Sequence, residues 1–147
     1  MTQIADELTQ VVQSTAERLR SISAAEAGFK PSEARWSKKE VIGHLIDSAA
    51  NNHQRFVRAQ QAPELVLPAY DQEKWVSLQD YNSTSWPDLK ELWRLYNLHL
   101  AHVIRRIPAE KLGIKCTIGD KEPVTLGNIM DQYLVHLKHH LDKIGVL

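Results

Sequence analysis

The sequence predicts an all-α fold: a four-helix bundle with a long crossover between its second and third helices. Three observations predict it. Apolar residues recur at three-and-four spacing in four stretches. All six prolines (Pro31, Pro63, Pro68, Pro87, Pro108, Pro123) lie outside those stretches or in a first turn, where proline is tolerated. Capping signals open the second and third stretches. At 147 residues the chain suits one domain, residues 1–147, with a continuous core, and 43% hydrophobic and 24% charged residues exclude disorder and a fibrous repeat.

The first helix carries Ile4, Leu8, Val11, Val12, Thr15, Leu19 and Ile22 on one face and ends near Gly28, a plausible C-terminal cap. The second opens on Ser37-Lys38-Lys39-Glu40. In this capping box the Ser hydroxyl and Glu carboxylate satisfy free N–H groups of the first turn. It buries Val41, Ile42, Leu45, Ile46 and Phe56 and runs to about Gln61, before Pro63. Gly43 lets another element approach this helix closely.

The connection from Ala62 to Ser85 is longer than usual, and with Tyr70 and Trp75 more aromatic than a plain linker; such segments often cover a site. The third helix starts at Ser85-Trp86-Pro87-Asp88, with Asp88 placed to cap. It buries Leu89, Leu92, Trp93, Tyr96, Leu100, Val103 and Ile107, and Pro108 ends it. Residues 114–124 form a short β-hairpin turning at Gly119-Asp120. Thr125 starts the fourth helix, whose stripe is Leu126, Ile129, Met130, Tyr133, Leu137, Leu141 and Ile144, closed by Gly145.

Composition excludes several functions. Eighteen basic residues balance eighteen acidic ones, leaving no global field for a nucleic acid or an anionic membrane. A small neutral or locally charged substrate is expected. The chain begins without a basic segment followed by an apolar block, and no apolar run reaches the ~18 residues of a membrane span, so a cytoplasmic location is expected. The single cysteine, Cys116, forms no intramolecular disulfide and reads as a semi-buried loop thiol. No glycine pattern of a phosphate-binding loop or a dinucleotide site is present.

The chemistry lies in the histidines. His136 and His140 stand one turn apart on the fourth helix, within roughly 40° of each other, a spacing from which two imidazoles can converge on one ion. His139 is rotated away and is the weaker candidate. On the second helix His44, Ser48, Asn51 and Arg55 form a polar ribbon flanked by apolar residues, costly to bury unless a metal and a ligand supply partners. His99 is a rival ligand, read in preference as a packed histidine; His53 and His102 read as surface residues. Three neutral imidazoles leave coordination positions open, as in catalytic rather than structural zinc sites.

Three ordered motifs carry a resemblance to a known family. The run from Trp36 through Ser37, Glu40, Gly43, His44, Asp47 and Ser48 to Asn51 and Arg55-Phe56 resembles the first metal motif of DinB-like proteins, particularly the YfiT-type branch. Pro68-Ala69-Tyr70-Asp71-Gln72-Glu73-Lys74-Trp75 resembles the inter-helix segment of that branch, and His136 to Ile144 resembles the C-terminal motif with its two ligands. The resemblance implies a bundle with one long crossover, commonly a homodimer, holding a divalent ion through His44, His136 and His140. Zinc is favoured; nickel, iron and manganese also suit nitrogen ligands.

Family members with assigned activity include transferases and isomerases that use bacillithiol, mycothiol or glutathione, beside others regarded as metal-dependent hydrolases. The resemblance therefore implies transfer of a low-molecular-weight thiol to a small electrophile, with the metal favouring the thiolate. Asn51 and Arg55 would orient polar groups of the ligand, Asp71 would hydrogen-bond at the entrance, and Trp75 would close an apolar wall. Two alternatives stand beside it: a hydrolase using metal-activated water, for which no general base stands out, and a non-enzymatic protein, either a bundle stapled by its metal or a metal-dependent binding module.

Overall fold

The computed structural model describes residues 2–147. Its frame is four long helices: α1 (Thr2–Leu19), α3 (Lys38–Ala59), α5 (Trp86–Arg106) and α6 (Leu126–Lys143). Two short helices, α2 (Ala24–Gly28) and α4 (Gln72–Gln79), lie between them, with a small sheet of β1 (Glu64–Leu67), β2 (Lys115–Ile118) and β3 (Val124–Thr125). Helix α1 packs on α5, and α3 packs on both α5 and α6. No helix among the described residues is long and apolar enough to cross a membrane.

Helix starts follow local chemistry. Ser37 Oγ accepts the Glu40 N–H at 3.1 Å while the Glu40 carboxylate accepts the Ser37 N–H at 2.7 Å, so both halves of the expected box are present. At α5 the cap is Ser85, whose Oγ accepts from the Asp88 N–H at 3.4 Å; Asp88 donates its backbone rather than capping with its side chain. Thr125 caps α6, with Asn128 as its reciprocal partner.

The first predicted helix is broken. Helix α1 stops at Leu19, and Ser23 starts α2 by accepting the Glu26 N–H, so the expected run to Gly28 is two helices. A serine that can bond nearby backbone competes with helix continuation. The apolar stripe of α5 is also rotated from the expected one. Leu92 is 52% exposed, while Asn97, Ala101 and Ile104 are buried; Tyr96 and Val103 lie at the margin of the core. Asn97 tolerates burial because its Oδ1 accepts from the Tyr133 hydroxyl at 2.5 Å and its amide donates to the Trp93 carbonyl at 2.8 Å.

The hairpin forms as expected, with β2 antiparallel to β3 and Gly119 at positive φ (+60°) in the turn. The crossover holds more order than its composition indicates. Strand β1 pairs parallel to β2, placing Leu65 beside Cys116, and the Gly119 N–H donates to the Leu67 carbonyl at 2.8 Å. Cys116 is accordingly a fully buried strand residue, not a semi-buried loop thiol.

The rest of the crossover is tied down onto α3. The Tyr81 ring lies against Gly43, where a Cβ would come within 2.1 Å of a ring carbon. Its hydroxyl donates to Asp47 Oδ1 at 2.5 Å, and the Gln79 amide donates to the same oxygen at 2.8 Å. Lys39, buried by residue, donates to the carbonyls of Asn82 and Thr84. These bonds set the crossover beside His44.

Candidate metal centre

His44 sits on the second turn of α3, and His136 and His140 on the last two turns of α6. One ring nitrogen from each lies within 4.8 Å of the other two. The Nε2 atoms of His44 and His136 are 3.1 Å apart, and the three ring centroids are separated by 4.5–5.0 Å. Two nitrogens each bound at about 2.0–2.1 Å to one ion stand roughly 3.0–3.4 Å apart.

The surroundings hold these rings neutral. Burial pushes His44 down to about 3, with repulsion from His136 and His140 adding to it. His140 is pushed down to about 4, first by burial and then by His136, His139 and Lys143. Burial also lowers His136, with His139 next. Neutral imidazoles keep their lone pairs free for a cation at neutral pH. His44 is fully buried and its Nδ1 has no hydrogen-bond partner among the described residues. What fits a divalent ion is the convergence of the Nε2 atoms of His44 and His136 beside His140, a donor set of three neutral imidazoles.

Trp36, just before the cap of α3, roofs the cluster with its ring 5.0 Å from His44 and 6.5 Å from His140. His139 is exposed and, although its ring lies 5.5 Å from that of His140, stands outside the triad. His99 is exposed rather than packed, and His53 is half-buried, its Nδ1 3.2 Å from the Tyr96 hydroxyl; neither joins the triad.

The triad stands between two cavities. The first, about 460 Å³, has His136 in its wall with Ser48, Asn52, Arg55, Tyr70 and Tyr133. The second, about 790 Å³, has His140 and Trp36 in its wall with Val41, Glu73 and Ile144; Gln72 borders both.

Of the predicted ligand-binding residues, Arg55 lines the first cavity, whereas Asn51, Asp71 and Trp75 line neither. Asn51 turns back to the Asp47 carbonyl at 2.9 Å; the neighbouring Asn52 faces the cavity instead. Asp71 caps α4 by accepting the Lys74 N–H, and Trp75 packs edge-on against Tyr70 at 5.2 Å. Trp75 thus touches the wall residue Tyr70, while Asp71 serves the start of α4. Asp47, Tyr81 and Trp36 were not singled out by sequence reasoning, although Gly43 signalled a close approach and Trp36 and Asp47 lie within the motif around His44.

A family model described as the DinB superfamily matches residues 7–144. "Putative metal-dependent hydrolase OB0413" of Oceanobacillus iheyensis is 25% identical over 130 residues, 88% of this chain and 75% of that protein. "Putative metal-dependent hydrolase YfiT" of Bacillus subtilis is 29% identical over 115 residues, 76% of this chain and 64% of its own length. Two solved structures share the fold. YfiT, described as having an unusual four-helix bundle topology, superposes with a TM-score of 0.75 at 22% identity, covering 93% of this chain and 81% of that one. A mycothiol-dependent maleylpyruvate isomerase superposes with a TM-score of 0.78 at 12% identity, covering 99% of this chain but 60% of that one. The matched span, the bundle and the histidine cluster together place this chain in the DinB superfamily, in its YfiT-type branch.

Proposed function

We propose that the protein is a divalent-metal-dependent enzyme that transfers a low-molecular-weight thiol to a small electrophile. The observation that supports this most is the position of the triad between two cavities, one bordered by His136 and the other by His140. A reaction joining two molecules needs two approaches to one centre. His44, His136 and His140 would hold the ion, zinc by preference, and its positive charge would favour the deprotonated form of a thiol. The protein's own groups do the positioning. Arg55, Asn52 and Ser48 present polar atoms along the first cavity, and the Trp36 ring lies against His44 at the second. The similarity in fold to a mycothiol-dependent isomerase is consistent with a thiol partner.

Hydrolysis is the second reading, favoured by the names of the relatives in sequence. It asks for a base beside the triad. The carboxylates in the two cavity walls, Glu122, Glu26 and Glu73, are all exposed. We also propose a homodimer, with Leu92 and Leu95 of α5, each about half-exposed, as seam candidates; light-scattering mass in solution tests it.

Metal content and turnover test the main proposal. Single His44→Ala, His136→Ala and His140→Ala variants should each lose stoichiometric metal, while His139→Ala keeps it. Retained metal in the first three would sink the metal assignment. The metal-loaded protein should consume a thiol in the presence of an electrophile panel. Chelator-sensitive stability with no turnover by thiol or water would point to the non-enzymatic reading instead.

A further inference from the structure

Arg55 carries a charge that the protein itself leaves unanswered. It projects from α3 into the wall of the first cavity, half-buried, and its hydrogen bond is to a neutral amide, Asn52 Oδ1, at 3.2 Å. Among the described residues no ion pair includes Arg55. Tyr70 and Cys116 face it, but burial raises both the phenol and the thiol, so neither is an anion at neutral pH. Lys121 adds a second positive group to the same wall, and the exposed Glu122 forms no ion pair with either. A partly desolvated guanidinium without a counter-charge is costly, and its planar fork matches a carboxylate with two parallel hydrogen bonds.

Geometry sets the length of the ligand. Asn52, which holds the guanidinium, is eight residues beyond His44 on one uninterrupted helix, a rise of roughly 12 Å. A molecule that reaches from the triad to the guanidinium covers that rise less part of the contact at each end, about 10 Å.

We propose that Arg55 forms a carboxylate subsite, and that the thiol used by this protein bears a carboxylate about 10 Å from its sulfur. This rests on the thiol-transfer reading, and it excludes an uncharged glycosidic thiol as the preferred co-substrate. The ligand lies along the polar wall of α3, past Ser48 and Asn52, with its reactive end at His136.

Calorimetric titration of the metal-loaded protein with glutathione, S-methylglutathione and the diethyl ester of glutathione tests the subsite. The free acids should bind at least about tenfold more tightly than the diester, the size of one charge-assisted hydrogen bond. Arg55→Met should bring the acids to the level of the diester with metal content unchanged, and Arg55→Lys should restore part of the preference. Equal binding of acid and ester to the native protein, a preference that survives in Arg55→Met, or no binding of the acids overturns the subsite. If S-methylglutathione shows the Arg55-dependent preference while no thiol is consumed, the subsite stands and the transfer reading falls.

Discussion

Replacing Gly43 by alanine should destabilise the protein by about 1.5–5 kcal/mol, opposite in sign to the ~1 kcal/mol that alanine normally gains over glycine inside a helix. The added methyl would meet three Tyr81 ring atoms at 2.1, 2.3 and 2.4 Å. The ring is not free to withdraw. Tyr81 is buried, and its hydroxyl donates to Asp47 Oδ1 at 2.5 Å, an oxygen that the Gln79 amide also holds at 2.8 Å. Forced overpacking costs about 1–3 kcal/mol, and a lost hydrogen bond to a charged group about 1.5–3 kcal/mol. Subtracting the helix gain leaves the stated range. Equilibrium urea unfolding of metal-free protein reads the change as a lower midpoint at constant slope, and the middle of the range corresponds to a fall of about 10 °C in Tm. In a Tyr81→Ala background the same change should become neutral or stabilising, since nothing then opposes the methyl. A Gly43→Ala variant as stable as the native protein, or more so, refutes the reasoning.

Two further outcomes follow from buried polar groups. Tyr133→Phe removes the donor to Asn97 Oδ1 in the core and should cost about 1–3 kcal/mol in urea unfolding, with a further Asn97→Leu change recovering part; an unchanged midpoint would count against that bond. The triad should make the metal-free protein acid-sensitive. Its histidines titrate below their ordinary value of 6.5 in the fold, His44 at about 3 and His140 at about 4, with His136 also lowered. Between about 6.5 and 4 the unfolded chain binds protons that His44 and His140 refuse in the fold, so stability is full above 6.5 and falls as pH drops, by up to about 3 kcal/mol per pH unit for these two groups, with His136 acting in the same direction. A urea midpoint that stays flat from pH 7 to pH 5 in metal-free protein would contradict this.

Local chemistry was legible in the sequence because it acts between residues at most four apart. The Ser37–Glu40 box, the threonine before α6 and the hairpin turn at Gly119 all form where their residue types stand. The pairing of His136 with His140 on one face is of the same kind, a consequence of helical pitch. Such reasoning fails where two faces compete for one stripe. Asn97 and Leu92 exchange places because Tyr133, 36 positions away in the chain, satisfies the buried amide.

By itself, then, the sequence determined four amphipathic helices, the capped starts of α3 and α6, a hairpin and a pair of imidazoles on one edge, since each depends on backbone geometry within a turn or two. Tertiary structure alone decided that His44 meets His136 across 92 residues, that Asn52 rather than Asn51 faces the cavity, that Tyr81 seats on Gly43, and that Arg55 is left without a counter-charge. Those outcomes depend on how helices rotate and settle against one another, and that is set by the sum of many weak contacts rather than by any local pattern.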